Sequence, residues 1–300
     1  MCGIAGLFIK DPKLEPQLGE FLTKMTATLC SRGPDSAGFA IYGSGKNGLV
    51  KLVLAGPDPT FALEPVARDL VSALGPNAKF EIRHSHAIVS MAEADVGKAR
   101  GWLKAHAPQV NVVSQGERLE IFKEVGYPTD VAKAFDIAGM KGTHGISHTR
   151  MATESAVTTR GAHPFSTGPD QCLVHNGSLS NHNAVRRELA HAGIGFATDN
   201  DSEVAAGYLT WRMKQGLSLK DSLEASLGDL DGFYTFVVGT ETGFAVLRDP
   251  IACKPAVMAE TDDYVAFGSE YRALAVLPGA ASARVFEPEP ATVYAWERAA

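Results

Sequence analysis

Met1-Cys2-Gly3-Ile4-Ala5-Gly6-Leu7-Phe8 opens the chain with a cysteine directly after the initiator methionine, then small residues and an apolar run. Gly3–Ile9 reads as a buried strand. With Met1 removed, Cys2 carries a thiol and a free α-amine on one residue. An α-amine titrates near about 8, so part of it is neutral at pH 7 and can take the thiol proton. That is the arrangement of an N-terminal nucleophile, where one residue supplies both attacking group and base. Taken alone, Cys2 reads rather as a small buried residue, and it is the rest of the chain that reverses this.

Downstream, Leu18, Phe21, Leu22, Met25 and Leu29 recur at helical spacing after Pro16. Ser31-Arg32-Gly33-Pro34-Asp35-Ser36-Ala37-Gly38 signals a tight turn into the strand Phe39–Tyr42. A glycine-rich hairpin turn, Gly43 to Gly48, is expected before a strand at 49–54. From Gly56 to Gly142 the character changes. Helices around Val66–Leu74, Val96–His106 and Thr129–Ala138, a strand over Phe80–Met91 and a hairpin turning at Gln115-Gly116 suggest a compact α+β insert. Gly145–Arg150 reads as a strand, Met151–Gln171 as a long polar loop and Cys172–His175 as a short strand breaking at Asn176-Gly177. That dipeptide is the strongest short hairpin signal. Helices follow over Asn181–His191, Ser202–Lys214 and Ser218–Leu227, then strands separated by hairpin-length loops. This alternation argues for layered packing of helices and sheets.

Composition narrows the class. A net charge of −6 over 300 residues gives no support for broad nucleic-acid binding. No apolar run approaches the roughly 20 residues that cross a bilayer, and no basic leader precedes the first strand. The cysteines Cys2, Cys30, Cys172 and Cys253 form no CxxC pair, so neither a zinc site nor a disulfide framework is expected, and a reducing cytoplasm is the expected home. His84 and His86 lie two apart on an expected strand, as metal ligands can. No cysteine or carboxylate joins them in sequence, so they read as ordinary strand histidines.

Five stretches recur in a fixed order: Met1-Cys2-Gly3-Ile4, Arg32 to Gly38, Ile146-Ser147-His148-Thr149-Arg150, His175-Asn176-Gly177 and Asp201-Ser202-Glu203. This order resembles the class II glutamine amidotransferases, which include the glutaminase domains of glucosamine-6-phosphate synthase, glutamine phosphoribosyl-pyrophosphate amidotransferase, asparagine synthetase and glutamate synthase. Arg248-Asp249-Pro250 and Phe267-Gly268-Ser269-Glu270 are similar to later signatures of that family. The resemblance covers the chain outside the insert. It implies an α+β fold, the four-layer αββα sandwich of N-terminal-nucleophile hydrolases, spanning 2–300 with a small α+β lobe inserted over 56–142.

The resemblance also implies roles. Cys2 attacks the side-chain amide of glutamine and forms a γ-glutamyl thioester that water releases. Asn176 and Gly177 supply the donors for the tetrahedral oxyanion; a type I′ turn at this dipeptide is compatible with that task. Arg150 matches the ligand of the substrate's α-carboxylate and Asp201 that of its α-ammonium. A surface ion pair and a helix N-cap are their plainer alternatives. Arg32 lies beneath the nucleophile. Thr153 and His163 fall on the loop that closes over glutamine, where a loop-ordering role suits His163. Met151 stands where some relatives carry tryptophan, and Ser178 replaces a common acidic residue. No cofactor and no metal are implied.

No region of the chain resembles an ammonia-using synthase. The expectation is therefore a separate subunit in a hetero-oligomer, similar to the glutaminase-like subunits that accompany glutamate-synthase-like proteins such as N-methylglutamate synthase, with flavin and iron–sulfur chemistry on the partner. A free-standing hydrolase of γ-glutamyl amides or peptides, and a non-catalytic assembly subunit, stay open beside it.

Overall fold

A computed structural model describes residues 2–45, 48–152 and 156–298. Its first sheet has seven antiparallel strands in the order Arg284–Phe286, Val257–Glu260, Tyr264–Gly268, Gly3–Ile9, His144–Arg150, Ser36–Tyr42 and Leu119–Val125. The second has five, in the order Val293–Glu297, Gly243–Arg248, Gly232–Gly239, Gln171–Leu179 and Phe165–Gly168. Gly3–Ile9 is buried along its whole length, because it is a central strand with a layer on each face.

Side-chain alternation builds the layers. In the second sheet Cys172, Val174, Val237, Phe244 and Val246 enter the core shared with the first sheet. Their neighbours Leu173, Phe236, Val238, Ala245 and Leu247 enter a second core, roofed by the helices His182–His191, Asp201–Lys214 and Leu219–Asp229. On the far side, Leu18, Leu22 and Met25 of the helix Leu18–Thr28 cover the first sheet. Helix, sheet, sheet, helix is the expected αββα order, and the class is α+β.

A lobe carries a third sheet, in the order Lys79–Arg83, His86–Ala92, Leu49–Ala55 and Asn111–Gly116. Its helices Leu63–Leu74 and Val96–His106 cover one face, closing a core of Leu52, Leu54, Leu70, Val89 and Leu103. The opposite face sends Val53, Ile88 and Val113 into the main core. The expected limits of 56–142 shift accordingly. Leu49–Ala55 belongs to the lobe sheet. Leu119–Val125 and the helix Pro128–Ala134 belong to the main body, since Phe122, Val131 and Phe135 pack there.

Other expectations are corrected by long-range pairing. Ser36–Tyr42 and Leu49–Ala55 lie in different sheets, so they form no hairpin. The strand expected over Phe80–Met91 breaks at His84, whose φ is 50°, so His84 and His86 do not share a strand face. The hairpin expected to turn at Gln115-Gly116 does not form, since Asn111–Gly116 and Leu119–Val125 lie in different sheets; the chain passes between them where the Asp170 carboxylate accepts from the amides of Glu117, Arg118 and Leu119. The polar loop contains the strand Phe165–Gly168. Asn176-Gly177 forms no turn: Gln171–Leu179 runs straight through it, paired with Gly232–Gly239 over eight positions. No described helix is long and apolar enough to cross a membrane.

Candidate active site

Cys2 sits at the mouth of the central strand, partly exposed, its thiol 3.8 Å from the Met151 carbonyl. Its own carbonyl is held from two sides, by Arg32 Nε at 2.9 Å and by Asn176 Nδ2 at 3.3 Å. Arg32 is fixed in turn by an ion pair with Glu270, Nη1 to Oε1 at 2.6 Å. That contact, with Arg272 adding to it, holds the Glu270 carboxyl below the usual range against the opposing effect of burial. Ser269 locks the chain two residues on: its Oγ accepts from the Ile4 amide at 2.9 Å, and its amide donates to the Ile4 carbonyl at 2.9 Å. The backbone bearing the thiol is thus tied to three other segments of the chain.

Asn176 and Gly177 lie where Gln171–Leu179 runs past its short neighbour Phe165–Gly168, which pairs only at Gln171 and Leu173. The Leu179 amide donates off that edge to Asp201 Oδ2 at 2.9 Å. Strand amides alternate edges, so the Gly177 N–H leaves from the same edge. The Tyr234 carbonyl opposite Gly177 is taken by the Asp249 amide. Gly177 has φ 151°, and a Cβ there would meet the Phe233 carbonyl at 1.9 Å. Only glycine fits, which is a stronger requirement than the turn preference of the dipeptide. The Asn176 side-chain amide is oriented by His148, whose Nε2 lies 3.2 Å from Oδ1. With Nε2–H donating to Oδ1, the two N–H of Nδ2 face the Cys2 carbonyl and, at 3.3 Å, Ser269 Oγ.

Behind this edge lies a buried polar cluster. His163 stacks on His148 with ring centroids 4.1 Å apart. Ser202 Oγ meets His163 Nε2 at 2.8 Å and His175 Nδ1 at 2.9 Å. Burial pushes the pKa of His148 down to about 3 and that of His163 well below its ordinary value. His175 is lowered too, chiefly by burial, although Asp201 at 3.8 Å pulls the other way. These rings are therefore neutral at pH 7, and the His175–Asp201 contact is polar rather than an ion pair. His148 Nδ1, His163 Nδ1 and His175 Nε2 are buried without a protein partner.

These groups open onto a cleft of about 930 Å³, at the upper end of the usual range for small-molecule sites. Cys2, Arg32, Arg150, His163, Asn176, Gly177 and Asp201 all line it. Thr153 lies outside the described residues. Arg150 is 6% exposed, so it is not a surface residue. Nor is Asp201 the helix cap. Asn200 caps Asp201–Lys214 by accepting from the Ser202 amide, which leaves the Asp201 carboxylate at the cleft wall. Among the described residues no cluster of histidine, cysteine or carboxylate could hold a metal ion.

Sequence reasoning passed over His148, His175, Ser202 and Ser269. A signal for the first existed: His148 and Arg150 are two apart on one strand, so they face the same side. The others are brought in by pairing across distant strands.

Comparison with known proteins gives the family. A glutamine amidotransferase domain model matches residues 148–276. A glutamine amidotransferase-like protein, GlxB, of Rhizobium meliloti (strain 1021) is 59% identical over 99% of this chain and 98% of its own length. A putative glutamine amidotransferase of Methanothermobacter thermautotrophicus is 33% identical over 98% of this chain and 99% of its own. The solved glutamine phosphoribosylpyrophosphate amidotransferase of B. subtilis superposes with a TM-score of 0.60 at 19% identity. A regulatory enzyme of purine biosynthesis does so with 0.63 at 21%. Both cover 99% of this chain, which spans 49% and 47% of theirs. The chain belongs to the glutamine amidotransferase family, and its fold is that of the class II, N-terminal-nucleophile members.

Proposed function

We propose that this family member hydrolyses glutamine to glutamate and ammonia through Cys2. One observation carries the reading: the thiol, the Asn176 amide, the Gly177 N–H, Arg150 and Asp201 all meet one cleft, with Asn176 Nδ2 3.3 Å from the Cys2 carbonyl. Loss of Met1 frees the Cys2 amine, which takes the thiol proton. The thiolate attacks the side-chain carboxamide carbon, Cδ, of glutamine, and the oxyanion accepts from the Gly177 N–H and from an Asn176 Nδ2–H that leaves its 3.3 Å bond to Ser269 Oγ to reach it. The ammonium of Cys2 returns the proton to the leaving nitrogen as the C–N bond breaks. Water, deprotonated by the same amine, then cleaves the thioester and releases glutamate. Arg150 takes the α-carboxylate through its planar fork, and Asp201 takes the α-ammonium. His163 and Arg32 hold the walls rather than exchange protons.

The ammonia passes to a separate synthase in a hetero-oligomer. The resemblance to separate glutaminase-like subunits implies a glutamate-synthase-like partner of the N-methylglutamate synthase kind, carrying flavin and iron–sulfur groups. An electrophilic glutamine analogue is the test. It should label Cys2, and Cys2→Ala should abolish both labelling and glutamate release. Labelling at Cys30, Cys172 or Cys253 instead overturns the mechanism. Cys172 is a poor candidate, since burial pushes its thiol up to about 12. Intact mass of the native protein reports Met1 removal. High turnover without any partner would assign a free-standing γ-glutamyl amide hydrolase, and a folded wild type that neither binds nor cleaves glutamine would assign an assembly subunit.

A further inference from the structure

Lys123 is a buried cation, 5% exposed, on the last strand of the first sheet opposite Gly38. Its Nζ donates to the carbonyls of Arg160 at 3.3 Å, Ala162 at 2.7 Å and Pro164 at 3.2 Å. An ammonium has three N–H donors, and these carbonyls take all of them. The Phe165 ring centroid, 4.6 Å away, adds a cation–π contact. Glu203 acts on Lys123 only through space, because its oxygens accept from the Ala197 and Thr198 amides and the Thr198 hydroxyl. Burial dominates, pulling the ammonium's pKa down to about 7; Glu203 opposes it, and Arg160 and Arg150 add to it. Such a charge is costly to bury unless it is fully hydrogen-bonded, and here the acceptors come from one loop.

That loop reaches the cleft. It lies directly on the strand below, since a Cβ at Gly38 would meet the His163 carbonyl at 2.0 Å. Arg160, Gly161 and His163 line the cleft beside Arg150. His163 then touches Ser202 and stacks on His148, which orients Asn176. We propose that Lys123 is a positioning residue for the glutamine pocket: its ammonium gathers the Arg160, Ala162 and Pro164 carbonyls into one turn and so sets the cleft wall carried by 160–163. This rests on reading the cleft as a glutaminase site.

Full-length wild type, Lys123→Met and Lys123→Arg are compared by glutamine kinetics and by amide hydrogen exchange over 156–165. Lys123→Met should lower kcat/KM about 10- to 100-fold, mostly through KM, as expected when substrate contacts are misplaced. Exchange should rise over 156–165 while the lobe and both main sheets keep wild-type protection. Lys123→Arg keeps the charge and several donors and should recover part of both changes. Wild-type kinetics and exchange in Lys123→Met overturn the proposal. So does exchange that rises equally throughout, which marks a role in stability alone. If Lys123→Met does not fold, Lys123→Arg decides: a change confined to 156–165 supports the assignment, and wild-type loop protection with wild-type KM overturns it. If wild-type protein hydrolyses no glutamine, that failure belongs to the glutaminase reading, and exchange over 156–165 still decides Lys123.

Discussion

The two walls of the cleft are built by opposite means. One is made of strands: Cys2 leads directly into the central strand Gly3–Ile9, Asn176 and Gly177 are paired on one side with Gly232–Gly239, and Arg32, Ser269 and His148 tie down what the ladders leave loose. The other is a loop over 156–164, with little ladder of its own. It is gripped at the edge strand Leu119–Val125 by adjacent residues that point to opposite faces. Lys123 takes three carbonyls, and Glu124 accepts from the Thr159 hydroxyl on the other side. The same Glu124 carboxylate accepts from Ser85 in the lobe at 2.7 Å. Chemistry that needs donors in fixed places is placed on the ladder. Contacts that substrate has to pass are placed on a segment held by a few buried charges, and those can be released singly.

Acid should break both walls together, and it is the largest effect expected. Burial holds His86, His144 and His148 down to about 3, and His163 well below its ordinary value. In the unfolded chain these histidines take protons near pH 6.5, which the folded chain refuses. Their contribution is therefore complete above pH 6.5 and declines as pH falls towards 3. The slope is about 1.4 kcal/mol per pH unit for each histidine. Urea midpoints measured from pH 7.5 down to 4.5 should fall steeply below 6.5. A flat profile would mean the rings are reached by solvent.

Asn176→Ala tests the strand wall by itself. Removing one such donor should lower kcat roughly 100- to 1000-fold with little change in glutamine KM, while the thermal midpoint moves by a few degrees at most. Initial-rate kinetics on the purified protein decide this. A loss confined to KM would move Asn176 from the oxyanion to the bound substrate.

Thr159→Val tests the loop wall and should have the smallest effect. It removes one charge-assisted hydrogen bond to Glu124, whose carboxylate keeps the Ser85 hydroxyl and the Val125 amide. Stability should drop by about 1–3 kcal/mol in denaturant titration, with kcat unchanged. A larger kinetic loss than that of Asn176→Ala would invert the contrast between the walls.

Much of this was readable in the chain. The helix face of Leu18, Phe21, Leu22 and Met25 and the apolar Gly3–Ile9 strand follow from period alone, and the cleft residues were named from short motifs in order. The dipeptide Asn176-Gly177 misled because turn preference is local, whereas its eight-position ladder is formed with residues more than 50 positions away. Lys123 shares a strand face with Leu119 and Ile121, both fully buried. Period two therefore pointed at it, but residue type argued for the surface. The lobe's limits were hidden for a similar reason: Leu49–Ala55 and Leu119–Val125 are equally good strands, and only their partners tell which sheet owns each.

The placement of Gly3–Ile9 has a consequence for how the molecule comes to exist. Gly3–Ile9 is central in its sheet, and both its neighbours, His144–Arg150 and Tyr264–Gly268, come far later in the chain. Ser269, which locks Ile4, arrives at the same late moment. Closing loops of that length is slow, and such contacts stabilise nothing until they form. The Cys2 corner therefore cannot assemble before Tyr264–Gly268 and Ser269 have been made. The Cys2 thiol stays unaimed until Ser269 has been added to the chain.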